Sequence, residues 1–174
     1  MGTEQKMQPA LFHVPAEADV VYTPPELADD IVNFFKPSGS CLDPCCGSGA
    51  FLDLLPPGSE WCEITKGRDF YAWVDPVEWC VSNPPYSHYT AWMRHSMTVA
   101  RDIVYLMPLY KVFASGKFAD DLFDWGGIVH VRRYGTGTEW GFPFGHALSA
   151  VHYQRGYEGS TSWSRYRRKL ELST

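Results

Sequence analysis

The chain has 174 residues, 45% of them apolar and 20% charged, with a formal net charge of −5. That length suits one domain with a buried core, and that balance is ordinary for a soluble globular protein. No run of 18 apolar residues occurs and the polar 1–9 segment lacks the apolar stretch of a signal peptide, so neither a transmembrane helix nor a secretory leader is expected. Cys41, Cys45, Cys46, Cys62 and Cys80 fall in strand-like or turn settings without CxxC or zinc-ligand spacing. They read as reduced core thiols of a cytoplasmic protein with no metal site and no membrane contact.

Residues 1–21 lack periodicity and read as an N-terminal arm. Leu27, Ile31, Phe34 and Phe35 recur at helical spacing. Thr23 is placed as an N-cap, Pro24 in the first turn and Glu26 as the far side of a capping box, and Pro37-Ser38-Gly39 stops the helix. Residues 40–43 predict a buried strand, and the glycine turn after it predicts a helix opening at Phe51 and ending at Pro56-Pro57-Gly58. Residues 61–64 and 78–82 predict two more strands, 88–100 a helix, 102–107 an apolar strand and 113–123 a helix. Residues 127–134 and 147–154 alternate and predict a closing antiparallel pair. Strands alternating with helices indicate a three-layer α/β domain with a mostly parallel sheet.

Charge is unevenly spread. Residues 1–124 hold 8 Lys/Arg and 17 Asp/Glu, and residues 125–174 hold 7 and 3. The last third can therefore supply local positive potential for a nucleic acid, or it is a solvated basic tail.

Two strings carry chemistry. In Asp43-Pro44-Cys45-Cys46-Gly47-Ser48-Gly49-Ala50-Phe51, an acid ends a strand and two glycines let backbone approach a ligand. Glu63 ends the next strand about 20 residues on, the offset expected of an acid that grips ribose hydroxyls. Leu52 stands where the third glycine of a nicotinamide fingerprint would be, which argues against that cofactor. In Asn83-Pro84-Pro85-Tyr86, two prolines stiffen a loop that offers an amide oxygen, a backbone carbonyl and an aromatic ring.

Together these strings resemble motifs I and IV of the S-adenosylmethionine-dependent amino-methyltransferases, above all the adenine-N6 enzymes. Asp69-Phe70 resembles the family's third motif and Tyr22-Thr23-Pro24 its N-terminal motif. The resemblance implies a Rossmann-like class I methyltransferase domain over residues 22–155, with a basic, aromatic tail over 156–174. It implies S-adenosyl-L-methionine as cofactor, held by Tyr22, Thr23, Asp43, Cys45, Gly47 and Gly49, with Phe51 nearby. Glu63, Asp69, Phe70 and Asn83 complete that set. Asn83, Pro84, Pro85 and Tyr86 would be catalytic. Asn83 Oδ1 and the Pro84 carbonyl would draw on the amino hydrogens of a planar base while Tyr86 stacks on it. His88 either lines the substrate side or starts the next helix.

The motif order is that of the family's γ group, whose members usually carry a large recognition domain after the core. About 19 residues follow Arg155 here, so low sequence specificity is expected. Arg155, Arg165, Arg167, Arg168 and Lys169, with Trp163, Tyr157 and Tyr166 among them, suit a strand or a flipped base. DNA is the favoured substrate. RNA adenine, a protein glutamine amide, or a role as a cofactor-binding subunit with a separate recognition partner or a second copy stay open.

Overall fold

The computed structural model describes residues 21–168; most of the expected N-terminal arm, and Lys169, lie outside the described residues. Seven strands form one sheet: β1 (Cys41–Asp43), β2 (Glu60–Trp61), β3 (Val77–Ser82), β4 (Ala100–Pro108), β5 (Gly126–Thr136), β6 (Ala147–Arg155) and β7 (Ser162–Arg165). Their order is β2-β1-β3-β4-β6-β5-β7. β2, β1, β3 and β4 run parallel, and β6 is antiparallel to both β4 and β5. The parallel sheet and its closing antiparallel pair match the sequence expectation. β7 does not: the tail was read as a run of charge and rings, yet part of it adds an edge strand parallel to β5.

Side-chain alternation builds the layers. On β4, Ile103, Tyr105 and Met107 face one cluster, with Tyr89 and Met93 of α2 (Tyr89–Val99) and Phe118 and Leu122 of α3 (Gly116–Trp125). Val104 and Leu106 face the other, with Leu27, Ala28 and Ile31 of α1 (Pro25–Phe35). Each face of the sheet therefore buries the apolar stripe of at least one helix.

Two local readings are corrected. Thr23 does not cap α1; Pro24 holds that position with no side-chain hydrogen bond. Glu26 instead accepts from Tyr166 Oη at 2.8 Å and Arg168 Nη2 at 2.9 Å, far along the chain. The glycine turn after β1 opens no α-helix. It continues as turns into one 3₁₀ turn over Leu52–Leu54, because Pro56 and Pro57 leave no room for more.

Gly126, where α3 passes directly into β5, is fixed by close packing. An added Cβ would lie 2.1 Å from the Gln154 carbonyl oxygen and 2.8 Å from the Gly156 nitrogen. Both are backbone atoms and cannot swing away. Gly126→Ala should therefore cost about 1–3 kcal/mol in urea denaturation, as overpacked sites do. A neutral result would show that the β5–β6 pair shifts freely there.

Candidate active site

The carboxyl ends of β1, β2 and β3 carry three loops that enclose a cavity of about 370 Å³. Ligands of open parallel sheets bind at such a place. Gly47 (φ +50) and Gly49 (φ +95) sit in the left-handed region and give the first loop its sharp turn. The Gly47 amide donates to Glu63 Oε2 at 2.9 Å, while Thr65 donates its amide (3.1 Å) and hydroxyl (2.8 Å) to Oε1. Glu63 is thus held in one rotamer, and Oε2 keeps accepting capacity. Lys66 reaches across to the Gly47 carbonyl at 3.1 Å.

Asp43 lies beneath the cavity and is fully buried. Its Oδ1 accepts from Ser82 Oγ at 2.6 Å and from the Cys45 amide at 3.3 Å, while Oδ2 has no partner. Burial pushes this carboxyl up to about 7, against the pull of Ser82 and Cys45, and the charge of Glu63 adds to the rise. Cys45 Sγ lies 3.1 Å from Ser82 Oγ and 3.3 Å from the Asn83 carbonyl. Burial holds that thiol well above its ordinary value, so it is a neutral spacer and no nucleophile.

Asn83 is held at both ends of its amide. Nδ2 donates to the Val21 carbonyl at 3.1 Å, and Oδ1 accepts from Tyr86 Oη at 2.5 Å. The Tyr86 ring meets Phe144 edge-on at 5.6 Å. Across the cavity, Phe70 is buried against Trp92 at 4.8 Å, and Asp69 Oδ1 accepts the Tyr71 amide at 3.0 Å. The Trp92 indole N–H is buried without a partner.

The expected cofactor residues Tyr22, Cys45, Gly47, Glu63, Asp69, Phe70 and Asn83 share the cavity wall, as does Pro85. His88 lines it too. Thr23, Gly49 and Pro84 are buried outside the wall, and Phe51 packs into the α1 side of the core. Sequence reading missed Val21, Ile64, Thr65, Lys66, Tyr71 and Trp92. Ile64-Thr65-Lys66 directly follow Glu63, and Trp92 stands one helical turn beyond His88, so both were within reach of spacing.

The basic residues divide. Arg165, Arg167 and Arg168 flank a second cavity at the end of β5 and β7, and Trp163 is exposed on β7. Arg155 stands at the opposite end of the sheet, where β6 finishes. There Nη2 donates to the Met97 and Ala100 carbonyls at 2.7 and 3.1 Å, closing the end of α2. That position removes Arg155 from the expected nucleic-acid set.

No protein-family model and no curated protein sequence matches the chain. Solved structures do match in fold. A Listeria monocytogenes protein classed as a putative class I S-adenosylmethionine-dependent methyltransferase aligns over 88% of this chain and 68% of its own, with TM-score 0.63 and 13% identity. The type I restriction-modification methyltransferase subunit from Streptococcus thermophilus aligns over 88% of this chain and 48% of its own, with TM-score 0.62 and 12% identity. A Pyrococcus horikoshii protein classed as a putative RNA methyltransferase aligns over 83% of this chain and 92% of its own, with TM-score 0.57 and 13% identity. The chain spans about half the length of the Streptococcus subunit. The fold is the Rossmann-like one these methyltransferase structures share.

Asp43 ties proton uptake to stability. Its folded-state value of about 7 lies above the ordinary 3.8, so between those values the native state binds more protons than the unfolded chain. This contribution is fully present at low pH and is lost as pH rises from about 4 to about 7. Asp43→Asn keeps an acceptor for Ser82 and should cancel that slope. Its stability relative to wild type should rise across the window, by on the order of 4 kcal/mol at the limit. Parallel urea denaturation of both proteins at each pH measures the difference; curves that stay parallel would mean the Asp43 value is ordinary.

Proposed function

We propose that this chain transfers a methyl group from S-adenosyl-L-methionine to the N6 amino group of adenine, with DNA as the favoured substrate and little sequence selectivity. One observation carries the reading. Asn83 and Pro85 stand in the wall of the acid-rimmed cavity, so a ligand held there lies against the loop that ends in Tyr86.

The residues present fit the cofactor. Glu63 and Asp69 line the cavity and Asp43 lies beneath it, against the single lysine Lys66. That excess of acid suits a ligand carrying a sulfonium and an ammonium. The partnerless Asp43 Oδ2 marks an acceptor awaiting a donor. Glu63 would take ribose hydroxyls, Asp69 and Phe70 the adenine, and Tyr22 would close over the amino-acid end. S-adenosylmethionine supplies a methyl group already bonded to an excellent leaving group.

What remains for the chain is to hold and orient the acceptor. An adenine amino nitrogen is a weak nucleophile because its lone pair is delocalised into the ring. Asn83 Oδ1 and the Pro84 carbonyl accept its two N–H groups and draw the nitrogen toward tetrahedral geometry. The Val21 carbonyl keeps Oδ1 turned toward the loop by holding Nδ2. Tyr86 stacks on the base. The nitrogen bonds to the methyl carbon as the carbon–sulfur bond breaks, and its extra proton leaves past Asn83 to water. In duplex DNA the target base must first leave the stack.

A second reading has support in the fold likeness to a type I methyltransferase subunit of which this chain spans half. On that reading a recognition partner, or another copy, supplies selectivity.

Nucleoside mass spectrometry of unmethylated DNA, incubated with the protein and S-adenosylmethionine, tests the proposal. N6-methyladenine should form, and Asn83→Ala should lower its rate by at least about a hundredfold, the usual loss when one preorganised polar contact to the transition state is removed. Tyr86→Phe keeps the ring and should retain most activity, whereas Tyr86→Ala should lose about tenfold in substrate affinity. Modified RNA or a modified protein glutamine, with unmodified DNA, would overturn the DNA assignment. Activity that appears only with an added partner would favour the second reading.

A further inference from the structure

A second cavity of about 400 Å³ opens where β5 and β7 end, walled by Tyr134, Trp140 and Tyr166 and rimmed by Arg165 and Arg167. β5 and β7 run in the same direction as β3, so this cavity and the Asn83–Tyr86 loop sit at the same end of the sheet. One segment joins them. The loop between β5 and β6 places Trp140 in the second cavity and Phe144 against Tyr86.

The rings are fixed before any ligand arrives. Trp140 Nε1 donates to the Tyr134 carbonyl at 2.6 Å, Tyr134 Oη to Asp30 at 2.6 Å and Tyr166 Oη to Glu26 at 2.8 Å. Tyr134 and Tyr166 lie 5.5 Å apart at 37°. The acids nearby are spent on the protein: Glu139 accepts from Thr136, and Glu26 pairs with Arg168, whose guanidinium also covers Trp140 at 4.7 Å. Arg165 and Arg167 form no ion pair among the described residues and are exposed. Preset aromatic walls beside unpaired guanidinium groups match a nucleobase with its phosphate.

We propose that this cavity docks an unpaired nucleotide neighbouring the target base, so that single-stranded DNA is the preferred substrate. The inference rests on the methyltransferase reading. In a duplex the neighbouring bases stay stacked and cannot reach Trp140, whereas in a single strand they enter without that loss.

Fluorescence anisotropy with a labelled single-stranded oligodeoxynucleotide and its duplex form tests it on the full chain. The single strand should bind more tightly than the duplex. Arg165→Gln with Arg167→Gln should weaken that binding and lower the slope of log K against log salt by about 1.4, the share of two phosphate contacts on a single strand. Trp140→Ala should weaken it about tenfold. Should Trp140→Ala unfold, the exposed arginine pair still decides. Duplex preference, or an unchanged salt slope in the arginine variant, would overturn the proposal. Strand binding and methylation are measured on the same arginine variant, which separates the two claims. Strand binding through the arginines without methylation would fail the catalytic reading alone. Methylation with arginine-independent binding would fail the docking site alone.

Discussion

The 2.6 Å hydrogen bond from Ser82 to the buried Asp43 carboxylate joins the ends of two parallel strands. Ser82 is the last residue of β3 and Asp43 the last of β1, so the bond sets the Gly47–Gly49 loop and the Asn83 loop in one frame. Cys45 extends the link by touching both Ser82 Oγ and the Asn83 carbonyl. A buried carboxylate is costly unless it is paired or protonated. Here it keeps one oxygen bonded and one orphaned, and burial raises its pKa toward neutrality. At that value the carboxyl is partly protonated near neutral pH, which relieves the cost of the orphaned oxygen.

Much of this was legible in the sequence. Asp43 ends β1 as its place after an apolar run suggests, whereas β2 stops at Trp61 and Glu63 lies two residues beyond it, capping the 3₁₀ turn Ile64–Lys66. The alternation at 127–134 and 147–154 gave the antiparallel pair directly, since period two leaves no other element. What escaped notice depends on distant chain. β7 has no apolar alternation of its own; Ser162 and Ser164 form hydrogen bonds to His130 on β5 at 2.6 and 2.7 Å, and that partner creates the strand. Spacing pairs Glu26 with Thr23, yet Arg168 and Tyr166 take it in place of a local cap. Arg155 belongs with the basic residues of the last third by sequence, and only the direction of β6 shows that it faces away.

Charge asymmetry along the sequence became asymmetry in space. The acid-rich first part forms the first cavity, with Glu63 and Asp69 in its wall. The basic last part forms the second cavity beyond β5. The two are kept apart by the Asn83–Tyr86 loop and the Phe142–Phe144 aromatic step. On the proposed reading an anionic strand is drawn to one side of the Asn83–Tyr86 loop and repelled from the other, which orients it without any base being read.

The bond between Tyr86 Oη and Asn83 Oδ1 also bears on the proposed catalysis. It takes one of the two lone pairs of that oxygen and leaves the other for a substrate amino group. Left unpaired in a half-buried loop, that oxygen would carry a desolvation cost, so the hydroxyl stabilises the resting loop. On the proposed reading an entering amino group adds a second donor to the same oxygen, and the Tyr86 hydroxyl keeps its place. The residue proposed to stack on the substrate is thus also the one that fixes the amide oxygen proposed to receive the amino group.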